Sequence, residues 1–139
     1  MDARREPSIL VDTNVVSYIF GGRPEARLFA PHLEGHVAAL SFQTLGELRY
    51  WARKNGWGAP KTRRLNDLTR QFVILTPDEQ TVDLWAELKV ASQSVGLSKQ
   101  TADLWIAATA KRHSLPLLTG DRGFLSALDI DVISIRGGD

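Results

Sequence analysis

No cysteine occurs in the 139 residues. That excludes a disulfide framework and a thiolate zinc site, and it is compatible with a reducing compartment. No stretch approaches the ~18 consecutive apolar residues of a membrane-spanning helix. The opening MDARREP is charged and runs into only a brief apolar stretch, ILV, too short for the apolar region of a secretory signal, so the expected location is the cytoplasm. A dominant charge is also missing: 17 Lys and Arg against 16 Asp and Glu leave a net charge of +1. The molecule as a whole therefore exerts little pull on a polyanion, and any nucleic-acid contact must come from local clustering. No phosphate-cradling glycine loop follows the first apolar run, which disfavours a nucleotide-binding module. Repeats and low-complexity segments are absent.

The sequence does contain short apolar runs that alternate with helical signals. The length suits one domain, residues 1–139, with one core. Ile9 to Val11, Val37 to Leu40, Phe72 to Leu75, Leu115 to Leu118 and Ile130 to Ile135 read as strands buried on both faces. Ser41 is a good N-cap for a helix running to Asn55, with Gly56 as its stop. Thr76-Pro77-Asp78-Glu79 offers an N-cap, a first-turn proline and a capping-box glutamate for a helix reaching toward Gly96. Val82, Trp85, Leu88 and either Lys89 or Ser92 would form its buried stripe. A further helix is expected after Ser98, through DLWIAATAKRH, ending before Pro116, and Trp57 to Pro60 reads as a helix-to-helix loop. Strands alternating with helices imply right-handed crossovers between parallel strands, hence a three-layer α/β/α sandwich around a sheet of about five strands.

In such sheets ligands gather beyond the carboxyl ends of the strands. Asp12 follows ILV, and Asp121 follows LPLLTG; each, taken alone, could simply cap the next helix. Asp103 precedes LWIAATA and shares a helix face with Ile106, Ala107 and Ala110. A carboxylate there must sit at a helix N-terminus, pair with a cation or bind a metal, because an isolated buried charge is prohibitive. Glu47 borders the stripe Phe42, Leu45, Leu48 and Trp51; alone it reads as a solvated acid or a partner within its helix. If the first and fourth strands are neighbours, the four acids converge. So gathered, they would repel one another and take up protons unless a hard cation neutralised them. Oxygen-only ligation selects Mg2+ or Mn2+ over zinc, and such ions act on phosphoryl groups without a His or Cys nucleophile.

These residues resemble the PIN domain family and, within it, the VapC-type toxins of prokaryotic toxin-antitoxin pairs. The motifs are ILVDTNVVSYIF, SFQTLGELRYWARKNGW and TADLWIAATAKRHSLPLLTGDRGF, and the similarity covers essentially the whole chain. The resemblance implies a parallel sheet of order 3-2-1-4-5 and Mg2+- or Mn2+-dependent cleavage of RNA. It implies metal binding by Asp12, Glu47, Asp103 and Asp121, with Asn14 and Thr119 at supporting polar positions. It also implies a VapB-type antitoxin partner and a homodimer. The competing reading within this fold is a catalytically silent RNA-binding module, in which the acids are caps.

The basic residues between positions 49 and 70 bear on either reading. Arg49, Arg53, Lys54, Lys61, Arg63, Arg64 and Arg70 face a single acid, Asp67. Arg49, Arg53, Lys61, Arg63 and Arg64 are the candidates for holding an RNA backbone, against a merely solvated helical face. Among the tryptophans, Trp85 and Trp105 read as core and Trp57, between glycines, as an exposed contact. His32, His36 and His113 have no metal-ligand spacing and carry no expected role. A phosphoaspartyl enzyme is disfavoured, because Asp12-Thr13-Asn14 lacks a second acid and FVILTPD places Thr76 and Pro77 before any acid.

Overall fold

β1 (Ile9–Val11) is the middle of the molecule: its three residues are fully buried, and they alternate between two separate cores. Ile9 and Val11 point to one face of the sheet with Leu40 and Leu118, while Leu10 points to the other with Ala39 and Leu117. That alternation is the period-two geometry of a strand, and an all-apolar tripeptide is what burial on both sides requires. In the computed structural model, residues 6–94, 96, 101–120 and 129–134 are described.

Around β1 lie β2 (Ala38–Ser41), β3 (Val73–Leu75), β4 (Leu117–Thr119) and β5 (Val132–Ser134), all parallel, in the order β3-β2-β1-β4-β5. Ile9 pairs with Ala38 on one side, and Leu10 pairs with Leu117 on the other. The first face carries the cores of α1 (Thr13–Phe20), α2 (Ala26–Leu33), α3 (Phe42–Lys54) and α4 (Ala59–Thr69), anchored by Val15, Val16, Phe29, Leu48, Ala52 and Leu65. The second face carries α5 (Glu79–Ser94) and α6 (Thr101–Arg112), anchored by Leu88, Leu104, Ile106, Ala107, Ala108 and Ala110. The three layers and the strand order are those expected from the sequence.

Several local expectations shift. The edge strands β3 and β5 are half-buried or exposed rather than enclosed on both faces, since an edge has a neighbour on one side only. Asp78, not Thr76, caps α5: its Oδ1 accepts from the Thr81 backbone N–H at 2.9 Å, and its own N–H donates to Thr81 Oγ1 at 3.2 Å. This reciprocal box draws Thr81 inward, so the buried positions of α5 are Thr81, Leu88 and Ser92, while Val82 is turned out to solvent. Pro60 lies in the first turn of α4 rather than in a loop, where its missing N–H is no loss. Ser98 and Ile135 lie outside the described residues.

Trp85 and Trp105 stack at 5.4 Å, with Phe42 edge-on to Trp105, so both do pack between helices. Among the described residues, no helix is long and apolar enough to cross a membrane.

Candidate active site

The carboxyl ends of β1, β2 and β4 stop at one edge of the sheet, and α1 and α3 start there. Asp12 is the residue on which β1 ends and α1 begins, with extended backbone angles of φ −73° and ψ 158°. The register of β1 against β4 sets Asp12 beside Thr119, and both Asp12 carboxyl oxygens are held. Oδ1 accepts from the Thr13 backbone N–H at 2.7 Å, and Oδ2 accepts from the Thr119 hydroxyl at 2.7 Å. Asn14, two residues on, accepts the Gly120 N–H at 3.1 Å through Oδ1, tying α1 to the end of β4 a second time.

Glu47 reaches the same place from α3. Its Oε1 accepts from the Thr13 hydroxyl at 2.7 Å. Beneath it, Thr13 Oγ1 lies 2.9 Å from Thr44 Oγ1, and the hydroxyl of Ser41, the N-cap of α3, meets both the backbone N–H and the hydroxyl of Thr44. Asp103 stands in the first turn of α6, half-buried ahead of the enclosed run Ile106 to Ala110. The partial positive charge of a helix N-terminus favours an acid at that position.

Two of the acids expected from the sequence, Asp103 and Glu47, act on a third, Asp12. Burial pushes the Asp12 carboxyl above its ordinary value. The hydrogen bonds from Thr119 and Thr13 oppose that rise, and the negative charges of Asp103 and Glu47 add to it. A cation among these groups would relieve both the desolvation and the repulsion. The donor set of carboxylates is all oxygen, which fits a hard divalent ion and not zinc. Among the described residues, no three of these side chains close into a finished ion cage. The fourth expected acid, Asp121, lies outside the described residues.

Thr13, Thr44 and Ser41 form a polar floor that sequence reasoning missed, apart from Ser41 as a cap. Their only signal was hydroxyl residues at buried positions flanking the acids, and nothing local marks them. Two of the basic residues, Lys61 and Arg64, lie by the far end of α1, at Phe20 and Gly21. Arg49 and Arg53 line a cavity of about 430 Å3 with Trp57; Lys61 and Arg64 line an adjoining one of about 410 Å3 on its other side. Arg63 is exposed and lines neither. Trp57 is half-buried, stacked on Phe20 at 5.3 Å, rather than a free contact. Lys61 Nζ lies 4.1 Å from the Trp57 ring centre, and the Arg64 guanidinium lies 5.1 Å from that of Phe20. Of the histidines, His36 bonds Ser8, and His113 follows the end of α6, away from the acids.

A five-stranded parallel sheet of order 3-2-1-4-5 with helices on both faces and acids at its carboxyl edge defines a PIN-like α/β architecture. The PIN domain model matches residues 9–129, and the chain belongs to the PIN domain family. It is 33% identical over 137 residues to Ribonuclease VapC4 of Mycobacterium tuberculosis, with 97% of this chain and 100% of that protein covered. Among solved structures it is similar to FitAcB from Neisseria gonorrhoeae, with a TM-score of 0.78, 31% identity and coverage of 91% and 96%. It is also similar to VapBC-5 of Mycobacterium tuberculosis, a member of the VapBC family of toxin-antitoxin systems, with a TM-score of 0.65, 25% identity and coverage of 94% and 98%.

Proposed function

We propose that the chain, as a single domain, is a Mg2+- or Mn2+-dependent endoribonuclease and the toxin of a VapBC-type pair. Its antitoxin partner would be of the VapB type, and its active form a homodimer. The observation that carries the reading is the Asp12 carboxyl, half-buried at the end of β1 within the field of Asp103 and Glu47 and disfavoured as an anion until a cation joins it. A silent RNA-binding module has no need for two further acids beside Asp12, since a helix cap requires only hydrogen bonds from the free N–H groups of the first turn. The similarity to a protein named as a ribonuclease supports the same choice.

Asp12, Glu47 and Asp103, joined by Asp121, would hold the ion. When bound, it supplies Lewis acidity, offsetting charge that builds on a phosphoryl group and making water a stronger acid. The chain's own residues orient the reaction. Thr119 and the Thr13 N–H fix the plane of the Asp12 carboxyl, and the Thr13 hydroxyl fixes Oε1 of Glu47. Hydrolysis then adds water at phosphorus and breaks one P–O ester bond, leaving the polynucleotide cut in two. Incubating the purified protein with RNA and Mn2+, with and without a chelator, and mapping the new 5′ ends tests this. Intact RNA under all conditions overturns it.

The RNA strand would leave the acids along α1 toward Phe20, about 12 Å away at 1.5 Å per residue. There Lys61 and Arg64, together with Arg49, Arg53 and Arg63, would contact phosphates. The described residues lining the two cavities include no acid to oppose a polyanion. Charge reversal at both Lys61 and Arg64 is expected to weaken RNA binding and reduce the salt slope of log affinity by about 1.4, at ~0.7 for each phosphate no longer neutralised. Fluorescence anisotropy across a salt series measures both. An unchanged slope returns this surface to the solvated-face reading.

A further inference from the structure

We propose that Thr13 is the positioning residue for Glu47, and that a one-way chain of buried hydroxyls, from Ser41 through Thr44 to Thr13, sets the orientation in which that carboxylate meets a divalent cation. The inference rests on the ribonuclease reading above and goes beyond it, in assigning a task to three residues that bind neither RNA nor ion.

The direction of the chain follows from counting protons. Thr13 Oγ1 lies 2.7 Å from Glu47 Oε1 and 2.9 Å from Thr44 Oγ1. A hydroxyl has one proton to give, and an ionised carboxylate has none. The Thr13 proton is therefore committed to Glu47, and Thr44 must be the donor in the Thr13–Thr44 contact. With its proton used there, Thr44 can only accept from Ser41 Oγ, at 3.3 Å. Ser41 Oγ in turn accepts the Thr44 backbone N–H at 3.1 Å, which holds it on the first turn of α3. Every donor is fixed by the next, and all three protons point toward Glu47.

The surroundings make this chain a device for orientation. Ser41 and Thr44 are fully buried and Thr13 is 7% exposed, so water does not compete for these bonds. Hydrogen bonds in series polarise one another, which strengthens the last one, the bond to the carboxylate. A glutamate has three side-chain torsions to fix, and half-buried Glu47 has its Oε1 held from α1 rather than from its own helix. The same Thr13 gives its backbone N–H to Asp12 Oδ1. One residue thus sets the position of two acids that come from different elements and couples the β1–α1 junction to α3.

A purely structural role, in which the hydroxyls only satisfy one another beneath the helices, makes a different forecast. The test compares wild type with Thr13→Val, Thr13→Ser and Thr44→Val by calorimetric titration with Mn2+ and by steady-state cleavage of an RNA oligonucleotide. Thr13→Val keeps the shape and removes the donor. It is expected to weaken Mn2+ binding and lower kcat about 10- to 100-fold, the usual cost of losing a partner that orients a ligand. KM for RNA should stay within about twofold, because the substrate contacts are untouched. Thr13→Ser should restore both quantities. Thr44→Val leaves the last bond but removes its support, and it should lower both by less; it carries the test should Thr13→Val fail to fold. Wild-type Mn2+ affinity in the folded Thr13→Val protein, or in Thr44→Val where only that variant folds, overturns the proposal. A Ser variant as impaired as the Val variant also overturns it. A wild type that binds Mn2+ yet cuts no RNA removes the ribonuclease reading alone, and the Mn2+ affinities of the Thr13 variants still decide this one. A wild type that binds no Mn2+ overturns both.

Discussion

Asp12→Asn is expected to lower RNA cleavage by more than about 100-fold, since even the partners of metal ligands typically contribute 10- to 100-fold. It should do so without loss of folded protein. The amide keeps the shape and caps the start of α1 about as well as the acid. Metal-free stability should hold or rise, by up to ~2 kcal/mol, because a half-buried charge beside two like charges has been removed. The pH dependence gives the sign. Burial and the neighbouring acids raise the folded-state value of Asp12 above its unfolded one, so the folded state holds the proton more tightly. Stability contributed by that proton is therefore present at low pH and is lost as pH rises through the raised value. The advantage of Asp12→Asn over wild type should accordingly be greatest above the raised value and shrink on acidification. Urea melts of both proteins without metal at several pH values measure this. Full activity in the purified variant removes Asp12 from the site, and a variant less stable than wild type at every pH identifies the side chain as a cap.

Addition of Mn2+ is expected to stabilise the wild-type protein by about 2.7 kcal/mol at a hundredfold excess over Kd, or a rise in Tm of roughly 9 °C for a domain of this length. An ion that binds only the assembled site works through mass action on folding. Asp103→Ala should lose most of that increment, because it removes one of the acids whose charge acts on Asp12. Asp78→Ala is the matched control. Asp78 is an acid at a helix start too, but it is paired at 2.7 Å with Arg112, which lies at the other end of α6 from Asp103. Its loss should lower stability directly while leaving the Mn2+ increment in place. Equal stabilisation of wild type and Asp103→Ala by Mn2+, followed by scanning calorimetry, would place the ion at another site.

The parts legible in the sequence were those written in short-range pattern. Ile9 to Val11 followed by Asp12 announces a central strand ending in an acid, and β1 has that form. LWIAATA announces a helix enclosed by protein, and Leu104 through Ala110 are buried but for Trp105. Where the sequence misled, two local signals competed. Thr76 and Asp78 are both good caps, and only the fold shows that Asp78 takes the role, with Arg112 drawn in from α6. Val82 and Thr81 could each have led the buried face of α5, and the cap bond decided for the polar one. Apart from Ser41 as a cap, the hydroxyl floor follows no short-range pattern. Thr13 meets Thr44 and Glu47 across separations of 31 and 34 residues, and no periodicity reports a contact between the end of one strand and the second turn of another element's helix. Thr119 and Asn14 were reached through resemblance to a family, not through any pattern of their own.

The adjacency of β1 and β4 also has a bearing on the time at which this protein can act. The Asp12 carboxyl is completed by Thr119, which is 107 residues further along the chain. At a synthesis rate of about 5–20 residues per second, an interval on the order of 5–20 s separates the two. Throughout it β1 can pair with β2, but the strand that closes its other side does not yet exist. An unfinished chain on the ribosome therefore carries Asp12 and Glu47 without the edge that organises them. The newborn protein stays inactive until β4 has been made, and fragments that stop short of β4 should be inert products.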